Sequence, residues 1–178
     1  MELWDVYDVN RQKTGKTIPR PAAWGQEAYH LIVHVCIFNS NGQMLIQKRC
    51  HAKHAWPDLW DVSAGGSALA GEESWQAAER ETMEELGLKL DLRNNRPHFS
   101  MNYTRGFDDF YAVITDVDLD TLVLQQSEVA EVRWASLEEV RQMEADHSFT
   151  PYFPGLIELI WQVRDNYDGA ICQSVPLG

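Results

Sequence analysis

One stretch decides the fold and concentrates the chemistry of this chain: GGSALAGEESWQAAERETMEELGL, which runs from Gly65 to Leu88. It predicts a helix from Glu72 to Leu86, with acidic residues in the first turn and Gly87 as the residue that ends it. At 100° per residue, three carboxylates of this helix share an arc of roughly 100°. They belong to Glu81, Glu84 and Glu85.

This acidic face has an electrostatic consequence. Like charges four residues apart on a helix repel each other, and Mg²⁺ relieves such repulsion because it takes carboxylate and water oxygens together with substrate phosphates. Arg80 can pair with one of the carboxylates and fix its orientation. Trp75, Thr82 and Leu86 lie on the opposite side, which we expect to pack on a sheet. For an isolated acidic cluster, an ordinary solvated face is the better interpretation.

The residues around the cluster favour a functional site over a solvated face, because eight positions carry specified residue types at a fixed spacing. These positions are Gly66, Glu72, Arg80, Glu81, Glu84, Glu85, Gly87 and Leu88. The pattern resembles the Nudix box, the motif of the Nudix hydrolases. The one departure is Thr82, where that family usually has an aliphatic residue.

The resemblance implies an α/β fold, in which a mixed β-sheet lies between helices, and a pyrophosphohydrolase that uses Mg²⁺ or Mn²⁺. The implied substrate is a small-molecule diphosphate, such as a nucleoside diphosphate derivative. The implied metal ligands are Glu81, Glu84, Glu85 and the carbonyl of Gly65, while Arg80 orients a carboxylate and Glu72 ties the loop to the helix. The sequence leaves open which glutamate activates the attacking water.

A further acidic residue is implied by the same resemblance. Some Nudix members take another ligand or base from a later loop, about six residues before a Trp that ends a strand. Glu128 stands at this distance from Trp134 and is the preferred candidate, with Glu131 as its competitor.

A second likeness covers most of residues 1–88. The segment from His30 to Gly66 resembles the isopentenyl-diphosphate isomerases, which use the Nudix fold. The isomerase has a proton-transferring cysteine where this chain has Gly65, and a metal-binding histidine where it has Ser67. We therefore expect a hydrolase with an isomerase-like sequence, and keep an isomerase and a non-catalytic nucleotide-binding module as alternatives. Arg49 and Lys53 match positions where the isomerase contacts diphosphate, so they are candidate substrate-binding residues.

Composition limits the partners. The 178 residues fit a single domain, and 15 basic against 27 acidic residues give a net charge of −12. Such a chain repels nucleic acid and anionic membranes, whose binding depends on Lys and Arg. Three cysteines without a CxxC pair and the lack of an apolar span lead us to expect a cytoplasmic protein. A homodimer is left open, because the N-terminal arm, residues 1–25, could cover its own sheet or a partner's.

The remaining elements are predicted from periodicity and turn residues. Gly106 and Asp108 are expected in a turn, and residues 10–25 in a polar extended arm or loop. His30 and His34 are expected in the core or at a sheet edge. Most of the tryptophans, notably Trp56 and Trp60, are expected in the core, although one tryptophan could stack on a nucleobase. Strands are predicted at 29–38, 43–49, 60–63, 99–104, 110–115 and 129–135, and helices from Ser136 and at 156–165.

Overall fold

The protein is represented by a computed structural model that describes residues 2–20 and 28–166. Met1 and residues 21–25 of the predicted arm therefore lie outside the described residues, as does Cys172. Along the described chain the order of elements is β1 (Leu3–Tyr7), β2 (Lys13–Pro19), β3 (His30–Phe38), β4 (Met44–Arg49), β5 (Trp60–Asp61), β6 (Ala64–Ser67), α1 (Ser74–Leu86), β7 (Phe99–Tyr103), β8 (Gly106–Ile114), β9 (Val129–Ala135), α2 (Leu137–Ala145) and α3 (Leu156–Val163).

The centre of the fold is a seven-stranded mixed sheet. Its main path runs β5-β4-β3-β8-β7, while β6 pairs with β3 and β9 pairs with β4. Strands β3 and β8 are parallel, and the other pairs are antiparallel. This arrangement places β3 between the Gly65–Gly66 strand and the long β8.

Strand β3 separates two apolar clusters, because successive side chains point to opposite faces of a sheet. Val33 and Val35 pack with the buried side of α1, whereas Cys36 and Phe38 pack with α2 and α3. The expected α/β fold, with a mixed sheet between helices, is confirmed. In the described part of the chain, no helix has the length and apolar character needed to cross a membrane.

Helix α1 begins at Ser74, two residues later than predicted, and its first turn holds no acidic residue. Its N-cap is Glu73, which forms a capping box with Gln76. Gly87 ends the helix as predicted, with φ of 66° in the left-handed region. Thr82 is fully buried, and its hydroxyl donates to the carbonyl of Ala78 at 2.8 Å. A polar residue is tolerated on the packing side because the helix itself satisfies its hydroxyl.

Two predictions about glycine-rich segments were wrong. Gly106 and Asp108 lie within β8, and the turn is at Thr104 and Arg105. Gly106 pairs with His30, and an added Cβ would come within 1.9 Å of the His30 carbonyl oxygen. The segment Ala64–Ser67 was not predicted as a strand, although it pairs with β3 over four residues.

The described part of the N-terminal arm is an antiparallel hairpin rather than a loop. It attaches to the segment before α1, since the Ala70 amide donates to the Leu3 carbonyl at 2.8 Å. The Gly71 amide donates to the Asp5 carboxylate at 2.9 Å. Arg11 forms an ion pair with Asp109, whose side chain is fully buried. The hairpin therefore covers its own domain.

Candidate functional site

A cavity of about 560 Å³ opens beside the N-terminal part of β3 and the acidic face of α1. It gathers most of the residues that the sequence singled out. One side, which we call the helix wall, consists of Gly65, Gly66, Arg80, Glu81, Glu84 and Glu85. Arg49, Lys53 and Glu128 also line the cavity. Glu72 and Gly87 flank the helix wall without lining the cavity.

Arg80 organises the helix wall. Its Nε and Nη2 donate to the two carboxylate oxygens of Glu72, at 2.7 and 3.0 Å. Its Nη1 donates to Glu81 at 2.9 Å and to Glu84 at 3.0 Å. Glu72 in turn accepts the amide of Leu69 at 2.8 Å, which links the loop to the helix. One planar guanidinium thus holds three carboxylates in fixed positions, a geometry that suits the forked donors of Arg.

Gly66 makes room for Glu81. A Cβ built on Gly66 would lie 2.3 Å from a carboxylate oxygen of Glu81. Any side chain at this position would therefore push the acid out of place. The glycine of the motif has a steric reason here, independent of backbone flexibility.

Glu85 is the most buried acid of the helix wall, with only 4% of its surface exposed. Its Oε2 accepts Gln47 Nε2 at 3.0 Å and the Gly65 amide at 3.1 Å. Burial, and then the charge of Glu81, raise the pKa of Glu85 to about 8. Burial also raises the pKa of Glu81, against the opposing effect of Arg80. Both carboxyl groups are costly to ionise in this setting unless a cation compensates their charge.

The donor set fits a hard divalent cation, since it consists of carboxylate and carbonyl oxygens that border the cavity. The protein alone does not assemble the complete site. Within residues 2–20 and 28–166, no three acidic, histidine or cysteine side chains are already gathered around one point. Arg80 instead holds oxygens of Glu81 and Glu84. Arg80 engages one oxygen of each of these carboxylates, so the other oxygen of each could bind a cation while Arg80 holds the side chain in position.

The structure separates the two candidate acids of the later loop. Glu128 lines the cavity and forms an ion pair with Lys53. Glu131 lies exposed in β9 opposite Lys48 and does not line the cavity. Only Glu128 stands where it could contact a ligand of the helix wall.

Arg49 lines the cavity, but much of its bonding capacity is already used. Its Nη1 donates to Asp61 at 2.8 Å, and its Nε donates to the carbonyl of Ala55 at 3.0 Å. Among the described residues, the side chain of Lys53 forms an ion pair with Glu128 and no hydrogen bond to the backbone. Of the two predicted substrate-binding cations, Lys53 is the one whose side chain keeps a single partner.

A second group of cavity-lining residues was not expected from the sequence. We call it the Asp61 wall, and it consists of His34, Arg49, Asp61 and Tyr152. The Tyr152 hydroxyl donates to Asp61 at 2.7 Å and lies 3.3 Å from His34 Nδ1. The other ring nitrogen of His34 lies 3.3 Å from Asp108. These contacts join residues 74 to 118 positions apart, so no local pattern could have revealed them.

The two histidines of β3 have different surroundings. His30 is buried as expected, stacked on Trp4 with ring centroids 4.8 Å apart. His34 stacks on Phe110 at 4.4 Å but also lines the cavity. His30 thus occupies a core position, as one form of the prediction had it, whereas His34 is partly exposed to the cavity. Gln47, which contacts Glu85, was also missed, and its only signal was a polar residue inside an apolar strand.

Comparisons with known proteins agree with this geometry. The family model of the NUDIX domain matches residues 28–153. The chain is 49% identical over 153 residues to the Nudix hydrolase lmo0368 of Listeria monocytogenes, covering 86% of this chain and 90% of that protein. It is 30% identical over 159 residues to the isopentenyl-diphosphate Delta-isomerase of Pectobacterium atrosepticum, covering 83% and 85% of the two chains. The crystal structure of DR0079 from Deinococcus radiodurans superimposes with a TM-score of 0.73 at 26% identity, covering 90% of this chain and 98% of that one.

Proposed function

The chain belongs to the Nudix family and is a hydrolase, and we propose that it cleaves a diphosphate linkage in a nucleoside diphosphate derivative or a related small molecule, with Mg²⁺ or Mn²⁺. One observation carries this proposal. The complete carboxylate set of Glu81, Glu84 and Glu85 faces one cavity beside the Gly65–Gly66 backbone. Nudix enzymes as a family use divalent cations and act on small-molecule diphosphates.

The cation would be held by Glu81, Glu84, Glu85 and the carbonyl oxygen of Gly65. When bound, a divalent cation polarises phosphoryl oxygens and lowers the pKa of a coordinated water. The protein's own contribution is orientation. Gln47 and the Gly65 amide hold Glu85, and Arg80 holds Glu81 and Glu84. Phosphoryl transfer depends mainly on such positioning and on charge neutralisation.

Two further residues act on the substrate side in this proposal. Lys53 contacts the diphosphate, and Glu128, released from Lys53, serves as an additional ligand or base. The Lys53–Glu128 ion pair supports this assignment because it places both side chains at the cavity. Arg49 contributes less to substrate binding, since Asp61 and Ala55 already engage it.

The isomerase alternative is disfavoured by Gly65. A glycine has no side chain that could move a proton to or from carbon. The site also has little space for one, because an added Cβ would lie 2.7 Å from the Val33 carbonyl oxygen. Incubation with isopentenyl diphosphate in D₂O should give no deuterium incorporation, and incorporation would reinstate the isomerase.

The proposed function is tested by a screen of diphosphate compounds with Mg²⁺ and with Mn²⁺. We expect the wild-type protein to release phosphate or a nucleotide from at least one compound. Glu85→Gln should lower kcat by at least about 10²-fold, because it removes a charged ligand or base. Glu131→Gln is the matched control, since Glu131 is exposed and lies away from the cavity. Equal rates for Glu85→Gln and the wild type would refute the role of the helix wall. Tight nucleotide binding without turnover in any metal would indicate the non-catalytic module.

A further inference from the structure

The N-terminal hairpin, formed by β1 and β2, lies outside the part of the chain that matches the NUDIX domain. The match begins at residue 28, whereas the hairpin spans residues 3–19. The hairpin nevertheless contacts residues 68–73, which join β6 to α1 and which we call the linking loop. The linking loop carries Glu72, the residue that holds Arg80. The hairpin therefore contacts the segment on which the geometry of the helix wall depends.

Each backbone amide of the linking loop has a hydrogen-bond acceptor, and two of these acceptors belong to the hairpin. The Leu3 carbonyl accepts the Ala70 amide at 2.8 Å. The Asp5 carboxylate accepts the Gly71 amide at 2.9 Å. Gly71 has a φ of +90°, in the region that favours glycine, so the chain turns at this point. The other amides bond to Leu31, Leu69, Glu72 and Gln76. The path of the linking loop thus depends on the hairpin at its turn.

Lys13 of β2 connects the hairpin to the backbone of Glu72. Its Nζ donates to the Glu72 carbonyl at 2.8 Å. The same atom lies 3.2 Å from the Asp5 carboxylate and 3.1 Å from that of Glu73. An ammonium group has three donors, and here three acceptors surround it. The side chains of Lys13 and Asp5 are only 31% and 15% exposed, so water competes little for these bonds. One cation therefore fixes the end of the linking loop relative to β1.

Glu72 is the link between this loop and the helix wall. Its two carboxylate oxygens accept Nε and Nη2 of Arg80, at 2.7 and 3.0 Å. Such a two-bond pair depends on the position and plane of both partners, so a shift of the Glu72 backbone changes the orientation of Arg80. Arg80 in turn holds Glu81 and Glu84. A displacement at Lys13 is thus passed to two of the proposed cation ligands.

We propose that Lys13 and Asp5 are positioning residues for the hydrolytic site. Together they hold the backbone of Glu72 where its carboxylate orients Arg80, and with Arg80 the cation ligands that it binds. The inference rests on the proposed function, which places the cation at the helix wall. Neither Lys13 nor Asp5 is among the residues that line the cavity, so both act through the linking loop. The N-terminal hairpin is then a working part of the site as well as a cover for the domain.

Charge and position predict opposite results when Lys13 is lost. Lys13→Met removes a positive charge from a chain whose net charge is −12. By charge alone, this loss favours a cation at the helix wall, to an extent that salt reduces. The loss of positioning weakens cation binding instead, because Arg80 no longer holds its carboxylates in one arrangement. A decrease in cation affinity therefore identifies positioning.

The first measurement needs neither metal nor substrate. NMR follows solvent exchange of the Arg80 Nε–H and of the Leu69 amide in the full-length, metal-free protein. Both groups donate to the Glu72 carboxylate. We expect both to exchange at least about fivefold faster in Lys13→Met than in the wild type, because their bonds open locally more often. Lys16→Met removes the same charge at an exposed position of the same strand and should exchange like the wild type.

The second measurement is Mn²⁺ affinity by electron paramagnetic resonance. Residues that orient metal ligands directly contribute about 10- to 100-fold, so we expect Lys13→Met, which acts one step further away, to weaken Mn²⁺ binding by at least about fivefold. Lys16→Met should bind Mn²⁺ at least as tightly as the wild type. Gly71→Ala changes no charge and strains the turn of the linking loop, because alanine disfavours its φ of +90°. It should weaken Mn²⁺ binding as Lys13→Met does.

The inference is overturned if Lys13→Met exchanges at Arg80 like the wild type, or binds Mn²⁺ equally or more tightly. Equal losses in Lys16→Met would assign the effect to charge, and wild-type affinity in Gly71→Ala would show that the linking loop does not control the site. Exchange at the buried Val33 amide separates local from global opening, since only global unfolding accelerates it. A wild-type protein that binds no Mn²⁺ would refute the proposed cation site, and the metal-free exchange rates would still decide whether Lys13 holds Arg80.

Discussion

The two walls of the cavity differ in how the chain builds them. The helix wall comes from 21 consecutive residues, Gly65 to Glu85, whose acids are placed by the geometry of one loop and one helix. The Asp61 wall joins residues from β3, β4, β5 and the segment before α3. The first wall carries net negative charge for a cation, and the second is a hydrogen-bonded network around the buried Asp61. The difference teaches that the reacting groups are encoded locally, whereas the surroundings of the substrate depend on long-range contacts.

The largest effect is expected from a substitution at Arg80, which tests whether the helix wall needs a fixed carboxylate geometry. Arg80→Lys keeps the positive charge but loses the planar fork that binds Glu72, Glu81 and Glu84 together. Residues that orient metal ligands typically contribute about 10- to 100-fold in metal affinity or activity. We expect a loss of that size in kcat/KM and weaker Mn²⁺ binding by electron paramagnetic resonance.

Arg133→Lys is the matched control, since Arg133 binds Glu139 at the surface, away from the helix wall. If Arg80→Lys bound Mn²⁺ and turned over substrate like the wild type, the fixed carboxylate geometry would be unnecessary. The helix wall would then need only its charge.

A change at Asp61 tests whether the two walls are independent. Asp61→Asn leaves Arg49 without its counter-charge and replaces an acceptor by a donor inside the protein. We expect the free energy of unfolding to fall by about 1–3 kcal/mol, the usual penalty for an unsatisfied buried polar group. The affinity for Mn²⁺ should remain within about twofold, because the described partners of Asp61 lie outside α1.

Urea unfolding and Mn²⁺ titration measure these two quantities in the same samples, with Asp120→Asn at an exposed site as the control. A parallel loss of Mn²⁺ affinity would show that the walls are coupled and that the division is wrong.

The smallest effect is expected at Thr82, the one departure from the box pattern. Thr82→Val keeps the shape of the side chain and removes a hydroxyl that, among the described residues, bonds to the preceding turn of its own helix. Because donor and carbonyl are in the same helix, the free energy of unfolding should change by less than about 1 kcal/mol. Thermal unfolding and kcat/KM should both stay close to the wild type. A large loss of activity would mean that the packing side of α1 also tunes the acids.

Much of the fold followed from the sequence. The strands β3, β4 and β9 and the helix α3 were predicted because their apolar periodicity is local. The strand assignment was incomplete or wrong at glycines in two places. Gly106 was read as a turn residue, but a parallel neighbour, His30, requires a residue without a Cβ there. Gly65 and Gly66 were not predicted as a strand, but they pair with β3. In both cases the reason for the glycine is a neighbouring chain segment.

The candidate site divides in the same way. The spacing of the box predicted that Arg80, Glu81, Glu84 and Glu85 would meet, and they do. It could not rank Arg49 against Lys53, because the partners of Arg49 are set by Asp61 in another strand. Nor could it show that His34 reaches the cavity, since that depends on Phe110 and Tyr152 packing beside it.

The sequence by itself determined the acidic face of α1, its ending at Gly87 and the family to which the chain belongs. These follow from the fixed rise and turn of a helix, which convert spacing directly into position. Only the tertiary structure decided that Glu128 and not Glu131 lines the cavity, that Asp61 and Ala55 engage Arg49, and that Trp56 is half exposed rather than in the core. Burial and ion pairing depend on which distant segments pack together, and local residue spacing does not reveal this packing.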